Sequence, residues 1–124
     1  MDQTISDPGP LKKVSNSFDI HMHLVGSGCH GSGCWLHPRF KNRYTVKALQ
    51  WMQGISNQRI ETNLDGFWTQ KLSKLVLESP ISYGVVLGFD ACFNEKGEEN
   101  KEKSQLIVPE DWVFKVCQKY SNLL

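Results

Sequence analysis

The sequence predicts an α/β fold built on parallel strands, and three observations carry that expectation. Phe18 to Leu24 is a short strand-like run bounded by Asn16 and Gly26. Ile81 to Phe89 contains Val85-Val86-Leu87, apolar without alternation. Helical stretches lie between these runs and after them. A strand apolar on both sides suits a parallel sheet covered by helices on both faces, with a right-handed helical crossover joining the strands.

The elements follow in order. Residues 1–16, rich in Ser, Pro, Gly and Lys, predict a flexible leader, and residues 17–124 the folded part. After the first strand, Gly26, Gly28, Gly31 and Gly33 predict an irregular loop that allows close backbone approach. Thr45 caps a helix carrying Val46, Leu49 and Met52 that fades at Gly54, and Gln53 to Thr62 is a polar connection. A second helix opens at Asn63 or Asp65. Its apolar face is Leu64, Trp68, Leu72, Leu75 and Val76, and Pro80 stops it. Asn94 to Ser104 is a solvated loop of interleaved charges. Pro109 takes the first position of a last helix, with Glu110 and Asp111 at the positive end of its dipole. Trp112, Val113, Val116, Cys117 and Tyr120 form its apolar stripe. A third strand is expected to follow this helix and is missing from the chain.

Composition narrows the function classes. The 124 residues carry a formal net charge of +1, which makes no electrostatic case for nucleic acid or an acidic membrane surface. The longest apolar runs fall far short of a membrane span. The polar start of the chain, with Pro8, Gly9 and Pro10, has no secretory apolar core, so the expected location is cytoplasmic. Cys29, Cys34, Cys92 and Cys117 then read as reduced thiols.

His21 and His23 are the sharpest chemical signal. Side chains alternate along a strand, so residues two apart point the same way. Two imidazoles side by side suit a divalent metal, zinc above all, which binds histidine nitrogen at about 2.0–2.1 Å. Met22 faces the other side and packs under the helices. Asp90, at the end of the later strand, lies on the same rim or serves as a turn residue.

Phe18-Asp19-Ile20-His21-Met22-His23-Leu24 resembles the first-strand motif of the amidohydrolase superfamily. It is most similar to the amidohydrolase-related branch that also holds the aminocarboxymuconate-semialdehyde decarboxylases. Gly84 to Asp90 resembles that branch's second strand, and Val108 to Val113 its next helix. The resemblance implies a (β/α)₈ TIM barrel in which His21 and His23 bind a divalent metal at the C-terminal mouth. It also implies a metal-dependent hydrolase acting on a small-molecule substrate with a carbonyl-type centre, or a decarboxylase of the same superfamily. A full barrel takes about 250 residues, so this chain is expected to be an incomplete barrel: two parallel strands with their helices, inactive alone. Catalytic residues, further metal ligands and substrate lie beyond what these residues specify. Open strand edges leave such a piece prone to self-association.

Two other readings compete. One is a small non-catalytic zinc protein using His21 and His23 with Cys29, His30, Cys34 and His37, although that loop's spacing matches no common zinc-finger pattern and its glycines make it floppy. The other is a protein–protein module presenting Trp51, Trp68 and Trp112.

Overall fold

Strand β1 (Phe18–His23) runs parallel to β3 (Tyr83–Leu87) in a computed structural model that describes residues 11–124. A second, antiparallel pair joins β2 (Trp35–Leu36) to β4 (Leu106–Ile107). The α-helices among the described residues are α1 (Pro38–Lys41), α2 (Tyr44–Met52), α3 (Asn57–Thr62), α4 (Leu64–Glu78) and α5 (Glu110–Lys119). The fold is mixed α/β, with no closed barrel among these residues. None of the helices is long and apolar enough to cross a membrane.

Both long helices lie on one face of the parallel sheet. A Cβ placed on Gly84 would meet Met22 Sδ and Val76 of α4, and one on Gly88 would lie 3.4 Å from Val113 of α5. Leu24, Leu72, Val76, Val86, Val116 and Leu123 form the core between sheet and helices. The sequence predicts cover on both faces. Among the described residues only one is covered, leaving Phe18 49% and Ile20 74% exposed.

The third strand expected after the last helix is represented by a short segment at residues 122–124. Gly84 N–H donates to Asn122 O (2.9 Å), Leu124 N–H to Gly84 O (2.8 Å) and Val86 N–H to Leu124 O (2.8 Å). Leu123 bridges Gly84 in parallel and is fully buried. Residues 122–124 therefore extend the sheet beyond β3. The order is first strand, second strand, third segment, each beside its predecessor.

Several helices depart from expectation. The polar connection contains α3, because the Ser56 side chain accepts from Arg59 N–H (3.1 Å) and caps it. Helix α2 starts one residue before Thr45, and Pro109 caps α5 rather than sitting inside it. Helix α4 buries Leu64, Asp65, Thr69, Leu72 and Val76, while Leu75 is 46% exposed. Helix α2 is turned outward. Lys47 Nζ and Gln50 Nε2 both donate to Asn57 Oδ1 (3.0 and 2.8 Å) on its packed side, whereas Tyr44, Leu49, Trp51 and Met52 face solvent.

Of the predicted leader, residues 1–10 lie outside the described residues. Val14 N–H donates to Pro80 O (2.8 Å), and Lys13 Nζ donates to Ile81 O (2.8 Å), tying residues 13 and 14 to the turn before β3.

Candidate functional site

The pairing of β1 with β3 slips by one residue between Asp19 and Met22. Phe18 pairs with Tyr83 and stacks on its ring, centroids 5.3 Å apart, on the open face. After the slip Met22 pairs with Val86 on the helix side and His23 with Leu87 on the open face. Such a bulge inserts one residue and re-aims the side chains that follow. Phe18 and His23, five positions apart, thus share a face that strict alternation would deny them.

The structure brings His21 and His23 together. Their Nε2 atoms lie 2.9 Å apart with the rings edge to face. His21 N–H donates to Asp19 Oδ1 (3.0 Å), which holds the bulge. Trp68 Nε1 of α4 donates to the His23 carbonyl (3.0 Å), and the Phe89 ring stacks on the His23 imidazole at 4.3 Å. His23 Nδ1 is buried with no hydrogen-bond partner among the described residues. Sequence reasoning missed Trp68 and Phe89 as supports because both contacts cross more than forty residues, and neither leaves a local pattern.

Asp90 takes a local role: its Oδ1 accepts from the adjacent Ala91 N–H (2.8 Å). No group of three or more His, Cys, Asp or Glu side chains able to hold a metal occurs among the described residues.

The glycine loop is held in place by a residue whose role has no signature in the sequence. Asp65, fully buried near the start of α4, accepts from Ser27 N–H (2.7 Å), Gly28 N–H (3.2 Å) and the Ser32 hydroxyl. Gly26 is needed beside it, because a Cβ there would sit 2.5 Å from Asp65 Oδ2 and 2.7 Å from Cys34 Sγ. Three satisfied donors around one carboxylate replace the floppiness expected of this segment.

The loop's own metal-type residues face different partners. Cys29 Sγ donates to Glu61 O (3.3 Å). Cys34 is buried, and desolvation pushes its thiol up to about 11. His37 Nδ1 accepts from Arg39 N–H (3.0 Å) and caps α1.

No family model matches the chain, and no curated protein or solved structure shows a significant match to it.

Proposed function

We propose that this chain is the N-terminal part of a metal-dependent hydrolase of the amidohydrolase type, with His21 and His23 as two of the metal's ligands. The single observation that carries the reading is the 2.9 Å separation of the two Nε2 atoms on the open face of the sheet. Nitrogens bound at about 2.0–2.1 Å to a tetrahedral cation stand about 3.3 Å apart, so the pair needs only a few tenths of an ångström of adjustment. A divalent cation held there supplies Lewis-acid activation of water and of a substrate carbonyl.

The residues of this chain do the positioning. Trp68 fixes the His23 backbone, Phe89 restricts its ring, and the bulge between Asp19 and Met22 keeps both imidazoles over the uncovered face. Sequential parallel order, with residues 122–124 beside β3, supports a singly wound (β/α)₈ parent whose interior is that open face. Remaining ligands and the small-molecule substrate belong to the rest of such a barrel. The free thiols of Cys29, Cys34, Cys92 and Cys117 suit a cytoplasmic setting.

A decarboxylase of the same type would use the same histidine pair. A self-contained zinc protein is the weaker reading, because Cys34 is held as a neutral thiol and His37 spends Nδ1 on a helix cap. Equilibrium dialysis against zinc tests the proposal. One ion per chain is expected, lost in His21→Ala and His23→Ala and kept in Cys29→Ser. Retention of zinc by the histidine variants with loss in Cys29→Ser would favour the loop instead.

A further inference from the structure

We propose that the groove between α1 and the turn before β4 binds a phosphate or phosphomonoester dianion. It has a volume of about 170 Å³, and its walls include His37, Arg39, Phe40, Arg43, Glu102 and Lys103. The two walls are joined by His37 N–H donating to Gln105 O (2.9 Å). The Glu102–Ser104 turn is in turn fastened by Lys103 N–H on Asn100 Oδ1 (3.2 Å) and the Ser104 hydroxyl on Asn100 O (2.8 Å).

Charge points to an anion. From Ile20 to Ile60 the sequence has no Asp or Glu, while it carries Arg39, Lys41, Arg43, Lys47 and Arg59. Arg39, Arg43 and Lys103 take part in no ion pair among the described residues. Against these three cations the groove sets one carboxylate, Glu102, which leaves an excess of two positive charges (3 − 1 = 2) to meet a dianion.

His37 adds a directed donor. It is only 9% exposed, and its Nδ1 accepts from Arg39 N–H, so the ring proton resides on Nε2. That Nε2 faces Glu102 Oε2 at 4.0 Å, beyond hydrogen-bond range, from a carboxylate whose side chain is 88% exposed and free to swing aside. Two guanidinium forks, an ammonium and an imidazole N–H match a tetrahedral oxyanion better than a single carboxylate, because planar forks bind phosphoryl oxygens in pairs.

Titration of the full chain with inorganic phosphate and with phenyl phosphate, followed by the ¹⁵N shift of His37 Nε2, tests the site. Saturable binding is expected, weakened at least ten-fold by the double change Arg39→Gln, Arg43→Gln. Glu102→Gln should tighten it several-fold, a gain that misfolding cannot mimic. Tighter binding of phenyl phosphate would assign an ester, and equal or weaker binding free phosphate. Equal shifts from sodium chloride at matched ionic strength, or an affinity indifferent to all three substitutions, would overturn the proposal.

Discussion

Two side chains set two residues apart on a bulged strand, His21 and His23, meet with their Nε2 atoms 2.9 Å from each other. The bulge decides what shares their face. Ile20 lies within the slipped stretch and stands 74% exposed, while Met22 turns under α4 towards Gly84 and Val76.

That division of faces can be read by paired substitutions. Ile20→Thr should change stability by no more than about 0.5 kcal/mol, as exposed positions do. Met22→Thr should cost about 2 kcal/mol, since it removes apolar volume packed on the core and adds a hydroxyl. Urea denaturation of both variants checks the difference, and equal losses would place the bulge elsewhere.

Asp65 should prove the main anchor of residues 26–34. Asp65→Ala leaves the Ser27 and Gly28 N–H groups and the Ser32 hydroxyl without their acceptor, at a cost of about 3 kcal/mol. Gly26→Ala drives a methyl into Asp65 and Cys34 and should cost about 2 kcal/mol. Amide hydrogen exchange at Ser27 and Gly28 should accelerate in both variants. Unchanged exchange in Asp65→Ala would show that the loop is ordered by something else.

How much of this was legible in the sequence depends on the range of the interactions. The histidine pair follows from the two-residue repeat of a strand, and α4 and α5 follow from helical periodicity with Pro80 and Pro109 as punctuation. Asp65 looked like a helix-opening residue, because its partners lie more than thirty positions earlier. The third strand segment was missed because Asn122 to Leu124 is too short to show a strand period and is recruited only by pairing with β3. Helix α3 has few apolar residues and rests on its Ser56 cap, a signal that the surrounding polar run concealed.

Leu123 offers a test of that third segment. It is fully buried and bridges Gly84, so Leu123→Ala should destabilise the chain by about 3 kcal/mol. An effect below about 0.5 kcal/mol, the range of an exposed residue, would mean that the segment is not docked.

Cys34 sets a pH dependence. Burial raises its thiol from 9.0 to about 11, so between those values the folded chain keeps a proton that the unfolded chain releases. Its contribution to stability is therefore complete below pH 9 and declines as pH rises through that window. Iodoacetamide at pH 8 should modify exposed Cys92 well before Cys34, which mass spectrometry of the native chain would resolve. Comparable rates would contradict the buried environment.

Whether His21 and His23 hold one metal ion between them can be read from the ¹⁵N shifts of all four histidines during addition of zinc. His21 and His23 Nε2 should move together and saturate at one equivalent, while His30 and His37 stay in place. Movement confined to His30 and His37, or no saturable change at His21 and His23, would contradict a metal shared by the pair.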